Sequence, residues 1–294
     1  MMQALLVRLL FGIFSLLPLR AAHALGVGIG TLFWLFPNRR RRTAETNLHL
    51  CYPALADAER AALARASLRE YAKGFVELGT LWTRDDAHLR ELVRESRGEA
   101  AVRSAFSAGK GVIIAAPHLG AWELIGLYCS VLGKINSMFR IPPMSQVGSA
   151  MRAARERFGA KLVPADGSGV RALMKALARG EAIGILPDQV PGDMSGAVFA
   201  PFFGQPAATM VLLSRLAARS GAPVFFSFAE RLPRGGGYRL HFLPAPPEVA
   251  SDDNIVAATA VNVMVEQCVR LAPAQYQWVY KRFRVRPPGE ASVY

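Results

Sequence analysis

His118 and Glu123 stand five residues apart in Pro117-His118-Leu119-Gly120-Ala121-Trp122-Glu123, a histidine and a carboxylate within reach of general acid–base work. In one continuous helix of about 3.6 residues per turn, that spacing would point the two side chains about 140° apart. A turn must therefore fall between them, and Leu119-Gly120 can supply it. If Gly120 caps a following helix, Glu123 becomes its third residue and faces back toward the histidine. The helix dipole favours a carboxylate there and disfavours a protonated imidazole, which helps keep His118 neutral as a resting base. The plainer reading of the same residues is a capping glutamate and a histidine satisfied in a turn. Other nucleophiles are weaker candidates. There is no GxSxG elbow, Cys129 falls inside an apolar helical stretch, and Cys51, Cys129 and Cys268 form no CxxC or zinc-like spacing.

The elements around these residues give His118 its weight. Residues 111–116 read as a strand, so His118 lies at a strand's carboxyl end, where open α/β sheets bind ligands. His23, His49, His88 and His241 have no such position. Residues 135–139 predict a second strand, placing Arg140 at the same edge, where a guanidinium can clamp a phosphate. Residues 182–186 predict a third, which delivers Asp188 after Pro187 to that edge or to a simple turn. Strands at 111–116, 135–139, 161–164 and 182–186 alternate with helices at 121–132, 145–158 and 170–179. That alternation predicts an α/β fold, a mainly parallel mixed β-sheet flanked by helices. Arg152 and Arg155 share a face of the helix at 145–158, as headgroup ligands or as a solvated basic face. Residues 43–105 read as helices throughout. A helix at 208–219, an antiparallel hairpin of 223–231 with 238–243, and a helix at 254–270 complete the pattern.

Composition limits the partners. The chain has 294 residues, 52% of them hydrophobic, and its 35 Lys and Arg exceed its 22 Asp and Glu by 13 charges. Such a surface favours anionic partners, whether nucleic acid, acidic lipid or an acidic carrier protein. Residues 4–36 are mostly apolar and end at Pro37-Asn38-Arg39-Arg40-Arg41-Arg42. They predict a membrane anchor, as one tilted span, a hairpin or an interfacial helix, with the arginines on the cytoplasmic side. A buried helix pair with a basic loop is the bland alternative. The domain division that follows is 1–42 as anchor and basic flank, and 43–294 as a single catalytic unit with a helical amino-terminal layer. Gly26, Gly28 and Gly30 form a GxGxG run without a preceding strand, which fits close helix packing better than dinucleotide binding.

The block Pro117-His118-Leu119-Gly120-Ala121-Trp122-Glu123-Leu124 resembles the HxxxxD/E block of the lysophospholipid acyltransferase superfamily. In its His-Leu-Gly-x-Trp-Glu form it is similar to the lipid A late acyltransferase branch. Asn47-Leu48, Arg140, Pro187-Asp188-Gln189, Phe202-Phe203-Gly204, Thr209 and the closing stretch Pro273-Ala274-Gln275-Tyr276-Gln277-Trp278 follow in the order of further family blocks. The wider glycerolipid enzymes carry Asn before the histidine and Asp at the end, where this chain has Pro117 and Glu123, which tilts the acceptor away from glycerol phosphate.

The resemblance implies a glycerol-3-phosphate-acyltransferase-like fold with an amino-terminal membrane-anchoring helix, at a bacterial inner membrane. It implies transfer of a fatty acyl chain from an acyl carrier protein thioester to a hydroxyl of a lipid A precursor of the Kdo-lipid IVA type. His118 would be the general base and Glu123 its partner. Arg140, Arg152, Arg155, Asp188, Gln189, Gly204 and Thr209 would bind substrate, amides near Gly120 would meet the oxyanion, and no cofactor or metal is called for. Another anionic lipid, such as a phosphatidylinositol mannoside or a lysophospholipid, is the nearest alternative acceptor. A non-enzymatic binder of membrane or nucleic acid is the alternative from another class. The aromatic and basic tail from Tyr276 to Arg286 suits it, but no RRM, KH or OB pattern frames that tail, so no nucleic-acid partner is expected.

Overall fold

In a computed structural model that describes residues 10–139, 145–192 and 194–294, the chain opens with helices. Residues 10–16 form α1, followed by Leu19–Leu35 (α2), Arg39–Cys51 (α3), Asp57–Thr83 (α4) and Asp86–Leu92 (α5). The strand Val93–Arg97 (β1) comes next, so residues 43–105 are not helical throughout. Its charged residues, Arg94, Glu95 and Arg97, hid it, because an edge strand needs no continuous apolar run. The four arginines, a loop only in the bland alternative, open α3, whose cap Asn38 accepts from the Arg41 amide. Arg40 and Arg41 lie over the rings of Phe33 and Trp34.

From Glu99–Ser107 (α6) onward, strands and helices alternate as the sequence predicts. They are Val112–Ala115 (β2), Trp122–Leu132 (α7), Ile135–Phe139 (β3), Ser145–Glu156 (α8), Lys161–Pro164 (β4), Gly167–Ala178 (α9) and Ala182–Ile185 (β5). An antiparallel hairpin, Ala197–Phe202 (β6) with Gln205–Met210 (β7), stands apart from the main sheet. It takes residues 208–210 from the predicted helix, which starts later as Leu212–Ser220 (α10). Val224–Arg231 (β8), Tyr238–Pro244 (β9) and Asn254–Leu271 (α11) complete the fold.

The main sheet runs β1-β9-β8-β2-β5-β3-β4, with every neighbouring pair parallel except β8 and β9. It is therefore the mainly parallel mixed sheet that the βαβ pattern implied. Period-two alternation divides β2 between two cores. Val112 and Ile114 pack with Leu124 and Ile125 of α7, and Ile113 and Ala115 pack with Leu173 and Leu177 of α9 on the opposite face.

Helix α2 lies along α4 at very close range. A Cβ added to Gly26 would stand 2.6 Å from the Lys73 backbone, and one on Gly30 would stand 2.4 Å from that of Arg69. Gly26 and Gly30 thus form a helix-packing seam, while Gly28 between them faces open space. Among the described residues, no single helix is long and apolar enough to cross a membrane. Helices α2 and α3 reach that length and apolarity only when taken together, and an 82° bend separates them.

Candidate active site

Adjacent parallel strands bring two sequence-distant residues to one edge. β2 and β5 pair from Val112↔Ala182 to Ala115↔Ile185, and the Ala116 amide extends the ladder to the Ile185 carbonyl at 2.8 Å. His118 leaves the end of β2 and Asp188 the end of β5, so the two meet. Asp188 accepts from the His118 amide at 2.9 Å and from its ring Nδ1 at 2.8 Å. An ionised carboxylate only accepts, so Nδ1 carries the proton and Nε2 the lone pair. The Gln189 amide nitrogen lies 3.1 Å from Nε2 and donates to it. Burial pushes the Asp188 carboxyl up, but the charge of the His118 ring when protonated, together with the hydrogen bonds from His118, outweighs this and holds it below the ordinary aspartate range.

Glu123 stands differently from its expected place. Ala121, not Gly120, caps α7, so Glu123 is the second helical residue. Its carboxylate is gripped by the Arg155 fork, with Nε donating to Oε2 at 3.0 Å and Nη2 to Oε1. The carboxylate bonded to the imidazole is therefore that of Asp188, while Glu123 lines the same cleft as His118. The Trp122 ring sits between these groups, 5.0 Å from the imidazole centroid and 5.7 Å from the Arg155 guanidinium carbon.

The amides once expected to meet an oxyanion are occupied. Leu119 N donates to Pro117 O at 2.7 Å, Gly120 N to Gln275 O at 3.1 Å and Ala121 N to Ala229 O at 2.8 Å. Gly120 has φ +60°, and a Cβ there would stand 2.1 Å from the Ala229 carbonyl oxygen, so only glycine fits. The closing sequence block also reaches this loop, since Gln277 N donates to His118 O at 3.0 Å.

The cleft holding His118 is lined by both charge and apolar surface, including Glu77, Arg231, Phe75 and Tyr276. A second cavity, mainly apolar, lies between the sheet and helices α7 and α8, and shares Trp122 and Glu123 with the first. Its floor crosses three strands in register, Ile114↔Gly184 and Gly184↔Ser137. Small residues keep it open. The Ser137 hydroxyl already occupies the space a Cβ on Gly184 would need, at 2.5 Å, and no heavy atom lies within 4 Å of the Cβ position of Gly126 on α7.

Of the remaining expected ligands among the described residues, only Arg155 and Gln189 join the cluster. Arg152 pairs with Glu156 at 3.1 Å and lies over Phe139. Thr209 is wholly buried among Asn262 and Arg282, and Gly204 forms the β6–β7 turn with Phe203, both at positive φ. Arg140 lies outside the described residues. Burial raises the thiols of Cys129 and Cys268 to about 12 and that of Cys51 further, which removes them as nucleophiles. Sequence reasoning missed Glu77 and Arg231, and it named Gln275 in the closing block without giving it a role. Glu77 carried a local signal, a carboxylate among the mainly apolar residues 74–82 that must find a partner if buried.

Comparison with known proteins completes the picture. The family model for bacterial lipid A biosynthesis acyltransferases matches residues 2–285. The chain is 31% identical over 282 residues to the lipid A biosynthesis palmitoleoyltransferase of Escherichia coli (strain K12), covering 95% of this chain and 90% of that protein. It is 29% identical over 279 residues to the lipid A biosynthesis lauroyltransferase of the same organism, with the same coverage. A lipid A biosynthesis acyltransferase of Haemophilus influenzae is 29% identical over 285 residues, covering 95% of this chain and 88% of that protein.

Proposed function

The chain belongs to the bacterial lipid A biosynthesis acyltransferases and is an acyltransferase, and from that premise we propose that it moves a fatty acyl group from an acyl carrier protein thioester to a hydroxyl of a Kdo-lipid IVA-type precursor. The observation that carries the mechanism is the oriented imidazole. Asp188 holds Nδ1–H, so the basic lone pair of Nε2 lies in the cleft beside an apolar cavity fit for a hydrocarbon chain.

The acceptor hydroxyl displaces the Gln189 amide and gives its proton to Nε2 as its oxygen attacks the thioester carbonyl carbon. The tetrahedral intermediate then collapses, the carbon–sulfur bond breaks, and the imidazolium returns the proton to the departing thiolate. No acyl-enzyme forms. Asp188 stabilises the imidazolium, and Glu123, fixed by Arg155, adds a second negative charge to the same cleft. General-base assistance of this kind is worth about 10²- to 10⁴-fold, and holding both substrates in place supplies much of the rest.

Two features support action at a membrane surface, with the site on the cytoplasmic side of an inner membrane. Leu25, Leu32, Leu35 and Phe36 on and beside α2 are exposed, as is Phe75, which also lines the cleft. Arginines follow them at the start of α3, where they can meet acidic headgroups. The formal charge of +13 suits both an anionic lipid and an acidic carrier.

Purified protein given acyl carrier protein thioester and the lipid precursor should add one acyl chain, read by mass spectrometry. His118→Ala should lose at least about a hundredfold in turnover while keeping its melting temperature. Near-normal turnover in that variant would end this mechanism, and transfer only to a lysophospholipid would replace the acceptor.

A further inference from the structure

We propose that Arg231 is a positioning residue for the acyl transfer, its guanidinium setting the turn between His118 and Glu123 from beneath the cleft. The reading rests on His118 as the base. Three backbone ties join the turn to other segments: Gly120 N donates to Gln275 O, Ala121 N to Ala229 O, and Gln277 N to His118 O, while the Gly120 carbonyl takes a side-chain donor. Arg231 Nη2 supplies it at 2.9 Å.

That guanidinium has little freedom to stand elsewhere. Nε and Nη2 also donate to both oxygens of Glu77, at 2.6–3.1 Å, and Nη1 reaches Glu70 at 3.4 Å. Glu77 is itself fixed, accepting from Tyr238 Oη at 2.9 Å and meeting His23 Nε2 at 3.0 Å. The backbone of Arg231 is clipped in turn by the Gln275 side chain, whose Oε1 accepts from Arg231 N at 2.8 Å and whose Nε2 donates to Arg231 O at 3.0 Å. Gln275 thus holds the turn by its carbonyl and Arg231 by its carboxamide. This gives the closing sequence block a physical task, and it places His23 of α2 three hydrogen bonds away from the Gly120 carbonyl, through Glu77 and Arg231.

The chemistry of the side chain matters. One planar fork serves Glu77 and Gly120 together through Nη2, and a lysine ammonium can keep a charge near Glu77 without reproducing that geometry. A displaced Gly120 carbonyl rotates the peptide that sets the direction of α7, and with it the spacing of His118 from Trp122 and Glu123. Substrate binding elsewhere in the cleft is untouched by that rotation. The predicted signature is a loss in kcat with little change in KM.

Arg231→Lys and Gln275→Leu would be compared with His118→Ala and with Arg239→Gln, a surface control on the neighbouring strand. All would be assayed as full-length protein with thioester and lipid precursor. Arg231→Lys should lose at least about tenfold in kcat, since an ångström of misplacement can cost on the order of a hundredfold, with KM for both substrates within about threefold. Gln275→Leu, which disturbs no charge, should show a smaller loss of the same form. If Arg231→Lys does not fold, Gln275→Leu decides the matter. Unchanged kcat in a folded Arg231→Lys or Gln275→Leu, or a loss confined to KM, would overturn the positioning role while an inactive His118→Ala leaves the base intact. An active His118→Ala would instead remove the reading on which the role rests.

Discussion

Two constellations of hydrogen-bonded charge flank the turn at 118–123, and they are finished to different degrees. Beneath the turn, Glu77 and Arg231 are buried at the wall of the cleft, and the carboxylate meets the guanidinium, a phenol and an imidazole at once. At the sheet edge, Asp188 is equally buried, but the chain it starts runs through His118 to the Gln189 amide, a neutral group that a substrate hydroxyl can replace. Saturation marks a brace and a replaceable last partner marks a reactive site. Charge and burial alone would not have separated the two.

The largest test of that distinction is Asp188→Asn. A carboxamide does not hold the imidazole in the same tautomer, and in a comparable Ser-His-Asp arrangement that loss is on the order of 10⁴ in kcat. Single-turnover rates should fall toward that scale while the thermal midpoint changes little. A loss below about tenfold would move Asp188 into the structural class beside Glu77.

Glu77→Gln should behave in the opposite way, because it leaves a buried guanidinium short of its counter-charge. Removing one member of a buried pair typically costs about 3–5 kcal/mol, which urea unfolding would register. Its pH signature is specific. Burial pushes the Glu77 carboxyl up, but the Arg231 charge and the His23 and Arg231 hydrogen bonds prevail and bring it down to about 2. The folded pKa is depressed, so the ionised carboxylate contributes stability above its ordinary value near 4.5 that is lost as the pH falls toward 2. In Glu77→Gln that part of the acid dependence should disappear. An unchanged acid profile would place the titrating group elsewhere.

The smallest effect belongs to Tyr238→Phe. It removes one neutral donor from Glu77 and leaves the guanidinium in place, so the loss should be about 1 kcal/mol by thermal or urea unfolding. A cost as large as that of Glu77→Gln would mean that the phenol, not the ion pair, carries the brace.

The sequence made the sheet edge readable because parallel strands leave strong local marks. Short apolar runs ending in Pro117-His118 and Pro187-Asp188 placed both residues at carboxyl ends, although which carboxylate would meet the imidazole depended on strand order. β2 and β5 are neighbours while β3 lies beyond, and nothing local in residues 112–185 encodes that order. Hence Glu123, near in sequence, was paired with the histidine in place of Asp188, 70 residues away. The brace was hidden for the same reason, since Glu77 lies on a helix and Arg231 at the end of a strand 154 positions later. The hairpin of β6 and β7 escaped because Ala207 and Ala208 suit a helix as readily as a strand, and its turn carries the unusual Phe203-Gly204 pair at positive φ.

The clip between Gln275 and Arg231 has a consequence for how the molecule comes into being. Segments around residues 23, 77, 118, 231 and 275 must all arrive before the turn at 118–123 has its partners, so its geometry is set by contacts far apart in the chain. Such contacts close late, because long loops must lose their freedom before the contacts reward it. During synthesis the histidine emerges long before the residues that fix its turn. Competence is therefore coupled to completion: a chain stopped short of residue 275 carries both His118 and Asp188, yet lacks the acceptor for the Gly120 amide and the donor to the His118 carbonyl.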